Sequence, residues 1–502
     1  MRATISLTIL PTVLAGSRQP GSKIEWLNAQ CPGPFLAREH HGLAVHGHWF
    51  RDLAWNVLMV CPLDLEILMT SAIPVRTGCC VLSALFLAAV AGCGAGASVP
   101  KIDTVKSSAQ RIADPQVPAA DITTLASDNA AFAFAAYQQL ITTNTNLVFS
   151  PASISIALAM TYAGAATTTA TEMAQALDFT LPSAQLNPAF NALDQALASR
   201  GQGFLGADGG PMQVDIATAI WAEKTYTFET DFLDTLAENY GAGVNLLDFV
   251  NAPDPSRLTI NSWVANQTDD KIQNLLPPSS VDSSTKLVLT DAVYFNAAWN
   301  APFDPNNTHD GSFTLLDGST VTVSLMYSDF VSFPATQGAN FVAASLPYAD
   351  TRLSLVVVVP HAGQFSQVES SLNATALATL VAGLTSQQVL LTLPRFKIET
   401  QTSLATLLQA LGMTSAFIPG TADFSGMDGT HNLFISNVFH DAFINVAEKG
   451  TEAAAATAIV ATEESEPTGL LVDATRPFIY FLYDQPTGAI LFMGRVQDPS
   501  QN

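Results

Sequence analysis

A chain of 502 residues is long enough for two or three average domains or one large one. With 48% apolar and 13% charged residues it can build a sizeable core, so global disorder is excluded. The formal net charge of −23 argues against nonspecific nucleic-acid binding, which needs Lys and Arg to neutralise phosphates.

Residues 1–68 show no clear period and several turn formers. His40, His41, His46 and His48 cluster there, in a metal site or a solvated segment. Met69 opens a more recognisable pattern. One positive charge, Arg76, precedes an apolar run of 12 residues over 81–92, and Cys93 follows. Twelve residues are short for a bilayer span but suit a signal-peptide core. The four residues Val90-Ala-Gly-Cys93 resemble a bacterial lipobox, in which the Cys becomes the lipidated first residue. The expectation is a signal peptide over 69–93, with 1–68 as an upstream extension or mis-assigned start. A chance apolar segment is the alternative. All five cysteines, Cys31, Cys61, Cys79, Cys80 and Cys93, lie at or before this point. The remainder can therefore hold neither a disulfide framework nor a Cys-based zinc site.

Residues 94–121 are rich in Gly, Ala, Ser and Pro and read as a tether. A folded domain is expected over 122–502. Helical spacing is found over 125–141, 153–162 and 171–177. Strands are expected over 214–222, 285–295, 353–359 and 389–398. Helices are expected over 229–240, 255–267 and 403–411. Helices first, then strands and helices intermixed, indicate an α+β fold rather than regular βαβ winding.

Residues 448–465 admit two readings. By propensity the Ala-rich run 453–456 is a helix. As an extended strand, Thr451, Ala453, Ala455 and Thr457 share one face, and all four are small and uncharged. Such a face could enter the middle of an existing sheet, while Glu452 points the other way. Gly450 tolerates the backbone change such a movement needs. The flanks, 442–446 and 477–482, read as strands and favour the second reading.

The chain carries no Gly-x-Ser-x-Gly elbow, no His-Glu-x-x-His and no phosphate loop ending in Gly-Lys-Ser/Thr. Only His309, His361, His431 and His440 occur after residue 121, and no nucleophile stands out. The expectation is a protein that is not an enzyme.

Several blocks together resemble one family. They are Asn146-Leu-Val-Phe-Ser-Pro-Ala-Ser-Ile154 with 157–165, then 268–277, then Leu287-Val-Leu-Thr-Asp-Ala-Val-Tyr-Phe295 with Trp299, Phe303, Thr308 and Phe313. Leu346-Pro-Tyr348, Phe424-Ser-Gly-Met427, the run 440–457, Arg476-Pro-Phe-Ile-Tyr-Phe481 and 487–495 complete the series. In order and spacing they resemble the serpins, the serine protease inhibitor family, over about 122–500. Two departures are Asp291, where members usually have Asn, and Thr475, where they have Asp or Asn.

The resemblance implies three β-sheets, eight or nine helices and an exposed reactive-centre loop. It implies a monomer without a cofactor, whose partner is a target endopeptidase, of serine or cysteine type, held in a covalent complex. Cleavage of the loop would let it insert as a new strand and distort the tethered protease. A non-inhibitory serpin acting as a binding or structural protein is the alternative. The hinge would comprise Glu448, Gly450, Thr451, Ala453, Ala455 and Thr457. In inhibitory members the cut lies about sixteen positions after the hinge Glu, which points to Glu464–Ser465; an elastase-like cut near Ala461 is the other choice. Ser150, Ser153, Asp291 and His440 would form a gate beneath the central strands, with Asp291 favouring a protonated imidazole. Arg395 would anchor Glu448 at the top of the sheet, near Trp299 and Thr308. The signal-like segment implies a secreted or cell-surface protein, touching a membrane only through a lipid at Cys93.

Overall fold

The computed structural model describes residues 102–141, 143–451 and 469–501. The expected upstream extension, the signal peptide with Cys93, and the loop residues Ala453, Ala455, Thr457, Glu464 and Ser465 lie outside the described residues.

The described chain begins with strand β1 (Asp103–Val105) and helix α1 (Ala119–Leu140). Next come β2 (Leu147–Phe149), α2 (Pro151–Tyr162), α3 (Thr167–Ala176) and α4 (Ser183–Ala198). Then follow β3 (Gln213–Glu223), α5 (Thr230–Tyr240), β4 (Val244–Leu247), α6 (Pro253–Gln267) and β5 (Leu287–Ala298). A run of strands continues with β6 (Thr308–Thr314), β7 (Thr320–Gln337), β8 (Phe341–Pro347) and β9 (Leu353–Pro360). Two helices, α7 (Phe365–Ser371) and α8 (Ala374–Ala382), precede β10 (Thr385–Pro394) and β11 (Phe396–Ser403). After α9 (Ala405–Ala410) and α10 (Ser425–Asp428) the chain ends in β12 (Ile435–Ala447), β13 (Gly450–Thr451), β14 (Leu470–Asp473), β15 (Phe478–Asp484) and β16 (Ala489–Val496).

These strands form two hydrogen-bonded networks. The seven-stranded sheet runs β1-β4-β3-β5-β13-β12-β11, and β5 also pairs directly with β12. The nine-stranded network runs β14-β10-β7-β8-β9-β15-β16-β2, with β6 on β7. Three sheets were expected; the third, built of β6, β14, β10 and β7 up to Ala335, is continuous with the second because β7 runs through both. The described helices number ten, counting the single turn of α10.

One large apolar core lies between the networks and under α1 and α2. Helix α2 is uncharged and mostly apolar, and every residue from Pro151 to Thr161 is buried, as expected of a helix with no wet face. Its start is fixed by Ser150 as N-cap, which accepts from the Ser153 amide, and by Pro151 in the first turn. The outer face of the seven-stranded sheet carries a second, smaller cluster under α6, with Trp221, Ile260, Val264, Val288, Ala292 and Phe439.

Two expectations need correction. The segment 94–121 is no free tether throughout. β1 adds an antiparallel edge strand to β4, Arg111 pairs with Asp194 at 2.6 Å, and the Ile112 amide donates to the Glu238 carbonyl. Backbone pairing here overrides a composition that looks like linker. Helix α1 also begins at Ala119, before the apolar spacing becomes visible. The strand expected over 389–398 is two strands in two different networks, β10 and β11. Pro394 has no N–H to continue a ladder, and the chain crosses between sheets at Arg395. That crossing sets Arg395 beside the top of the seven-stranded sheet.

Candidate functional site

The seven-stranded sheet has a seam. From Ile435 to Ala442, β12 pairs in parallel with β5, and His440 lies opposite Asp291. Above Ala442 the two strands part and β13 fills the gap. Thr451 pairs with Val446 on one side and Ala297 on the other, and Gly450 pairs with Ala447 and Ala298. The expected hinge residues Gly450 and Thr451 are thus already seated as the first two residues of an intervening strand.

Gly450 is required by space as well as by conformation. Its φ is +154°, and a Cβ there would fall 2.0 Å from the Ala297 carbonyl oxygen. Thr451 is fully buried, with Oγ1 2.7 Å from the Tyr348 hydroxyl. Burial pushes the Tyr348 phenol far above its ordinary range, so it stays a neutral hydroxyl. The Tyr348 ring stacks on Trp299 at 4.4 Å and 18° and meets Phe295 edge-on at 4.9 Å. Trp299 in turn donates its indole N–H to the Ala447 carbonyl at 2.9 Å and its amide to the Lys449 carbonyl at 2.8 Å. Tyr348 was visible in the sequence only as part of a matching block; its contact with Thr451 needs the strand register.

Glu448 is 5% exposed. Its Oε1 accepts from Arg395 Nε at 2.8 Å and from Thr308 Oγ1 at 2.6 Å, and its carbonyl accepts from the Phe303 amide at 2.9 Å. Burial alone would raise the carboxyl, but the hydrogen bonds from Arg395 and Thr308 outweigh it and hold Glu448 below its usual value. Arg395, Trp299 and Thr308 therefore meet at the hinge.

The structure also brings Ser150, Ser153, Asp291 and His440 together. Asp291 Oδ2 accepts from Ser153 Oγ at 2.7 Å and lies 2.8 Å from His440 Nδ1. The Ser150 amide donates to His440 Nε2 at 3.2 Å. All four residues are 0–1% exposed. The Ser150 amide, fixed by the start of α2, is thus aimed at the ring nitrogen opposite the one that meets Asp291. Asp291 Oδ1 has no hydrogen-bond partner among the described residues.

Asp441, one residue along β12, was missed in the sequence. It lies on the opposite, outer face of the seam, 2% exposed, across from Ala292 of β5. Among the described residues no cluster of His, Cys, Asp and Glu could hold a metal ion.

Residues 127–499 match the family model described as serpin (serine protease inhibitor). An uncharacterised serpin-like protein of Thermococcus kodakarensis is 36% identical over 373 residues, covering 73% of this chain and 84% of that one. Leukocyte elastase inhibitor A of Rattus norvegicus is 35% identical over 390 residues, covering 75% of this chain and 99% of its own. Among solved structures, the thermophilic serpin tengpin in the native state superposes with a TM-score of 0.70 at 27% identity, over 79% of this chain and all of that one. Human thyroxine-binding globulin complexed with thyroxine gives 0.66 at 30% identity, over 76% and 99%. With a family model spanning most of its length and relatives of this closeness, the chain belongs to the serpin family.

Proposed function

We propose that this serpin inhibits a serine-type endopeptidase, or one of cysteine type, by being cut and then inserting its loop into the seam between β5 and β12. The observation that carries this reading is β13. Its two residues are hydrogen-bonded to both flanking strands, antiparallel to each. Continuing that register, every step along the loop moves one step down β5 and one step down β12. Ala453 then arrives beside Phe295, Ala455 beside Val293, and Thr457 between Asp291 and His440. Each of these small side chains faces inward like Thr451. A run of small, uncharged residues is what a strand entering a closed core requires.

The covalent step belongs to the target. Its nucleophile attacks the carbonyl carbon of Glu464, the peptide bond to Ser465 breaks, and the Ser465 amine leaves with a proton from the target's own acid. The acyl bond so formed tethers the target to the inserting strand, whose added hydrogen bonds drive its displacement. This chain contributes no catalytic group and is not an enzyme. Loop insertion is a known kind of switching transition. The signal-like segment 69–93 supports a secreted or cell-surface location, with Cys93 as the point of any lipid attachment.

A second reading is a binding protein on the same fold, favoured by the likeness to thyroxine-binding globulin. Incubation with a panel of serine and cysteine endopeptidases separates the two. An inhibitor gives a complex that survives denaturing electrophoresis, whereas a binding protein is either untouched or simply cut.

A further inference from the structure

The inner face of the seam carries Asp291 and His440, whose hydrogen bonds are described above. The outer face carries a second carboxyl for which the closed sheet offers much less. Asp441 Oδ1 is buried without a hydrogen-bond partner among the described residues. Its strand sits between Ala292 of β5 and Gln401 of β11. Phe439, on the same face of β12, belongs to the apolar cluster under α6 together with Ala292, Val264 and Ile272. A carboxylate in such a place has little water around it and no counter-charge among the described residues.

The surrounding charges do not supply one. On β11, Glu399 repels it, and the Lys397 ammonium is drawn aside over the Phe443 ring at 5.3 Å. On β5, the titratable neighbour on this face is Tyr294, over whose ring the Lys271 ammonium of the turn after α6 sits at 5.5 Å. Within α6 the charged residues are Asp254 and Arg257, which pair with one another near its start at 2.7 Å. His440 attracts Asp441 weakly, but its ring points to the other face, where it is engaged with Asp291 and Ser150.

We propose that Asp441 makes the opening of the seam proton-dependent: its neutral form keeps β5 and β12 together, and its ionisation favours their separation. Burial is the chief cause, with Glu399 adding to it, of a carboxyl pushed up to about 7 in the closed sheet. In an opened seam, where water reaches it, the same group returns towards the ordinary carboxylate value near 4. Between roughly pH 4 and 7 the closed form therefore holds a proton that the open form has released. Each pH unit across that window raises the opening equilibrium by up to about tenfold, and above about pH 7 the effect levels off. The inference concerns the sheet alone and stands whether or not the loop inhibits a protease.

The test is amide hydrogen exchange on the uncleaved full chain from pH 5 to pH 8.5, corrected for the intrinsic rate. Protection of β5 and β12 amides is read relative to β15 and β16 in the other network. The expected result is a fall of about fiftyfold between pH 5 and 7, reaching a plateau near pH 8. In Asp441→Asn the ratio stays flat. Any contribution from Asp291 and His440 is common to both proteins and cancels in the comparison. Seam protection independent of pH in the unmodified protein overturns the proposal, as does an equal fall in Asp441→Asn. Should that variant fail to fold, Asp441→Leu, which suits the apolar floor, serves in its place.

Discussion

The hydroxyls of Thr451 and Tyr348 lie 2.7 Å apart in a fully buried contact at the top of the seam. Tyr348 is held by its stack on Trp299, and Trp299 is tied to the backbone at Ala447 and Lys449. The first inward-facing residue of the prospective strand is therefore bound to a rigid aromatic frame before any cleavage.

Thr451→Arg puts a charge where Thr451 now has no exposure. Desolvating it without a counter-ion costs several kcal/mol, roughly 3 or more. The hinge is expected to leave the sheet, insertion to slow, and the cut loop to be hydrolysed off the target. A rise in protease turnover, with loss of the gel-stable complex and unchanged circular dichroism, checks this. Retained inhibition contradicts it.

Tyr348→Phe removes one hydroxyl and leaves Thr451 Oγ1 unpaired, a change of about 1–2 kcal/mol. The ring stack survives. The variant is expected to keep its fold and to release the hinge more readily, seen as faster amide exchange at Gly450 and Thr451 alone.

Arg395→Ala removes the cation from Glu448. Arg395 is about half exposed, at 49% of its side chain, so solvent screening limits the loss to about 1 kcal/mol. The Glu448 carboxyl is held below its usual value. The stability this adds is complete above the unfolded carboxylate pKa of about 4.3 and disappears as pH falls through the lower folded value. Acid should thus loosen the hinge in the natural chain. Arg395→Ala should show a smaller acid effect in a denaturant titration run at pH 7 and again near pH 3.

Asp291→Asn keeps an acceptor oxygen for both Ser153 and the His440 Nδ1–H. Both hydrogen bonds can persist, and the change should cost less than about 1.5 kcal/mol. Asp291→Leu strands two buried donors and should cost about 2–4 kcal/mol. Urea midpoints of the two variants test this; equal losses would refute the role given to the Asp291 acceptor.

Much of the α+β architecture was legible because the blocks that carry it are locally decided. Helix α2 announces itself by Ser150, Pro151 and a long uncharged, mostly apolar run, and β5 by its β-branched and aromatic residues. The start of the hinge was legible in the small residues Gly450 and Thr451, while the alternation that continues to Thr457 lies outside the described residues. Long-range pairing was not. Nothing local marks Asp103–Val105 as an edge strand, since its partner β4 lies some 140 residues on. The contact between Arg395 and Glu448 was expected from the resemblance alone, and only the crossing at Pro394 explains why Arg395 stands there. The hydrogen bond to His440 Nε2 comes from the Ser150 amide, a backbone group that no side-chain pattern reveals. Asp441 was missed because its face of the sheet follows only from the pairing of β12 with β5 and β11.

The central claim is that the loop after Thr451 is cut once and then fills the seam. Its most direct test is mass spectrometry of the chain after incubation with an endopeptidase that prefers Glu. The account predicts a covalent complex of the target with the fragment ending at Glu464, together with a released C-terminal peptide beginning at Ser465. Cleavage that leaves free target and no acyl complex would contradict the account, and a released peptide starting well away from Ser465 would contradict the register on which it rests.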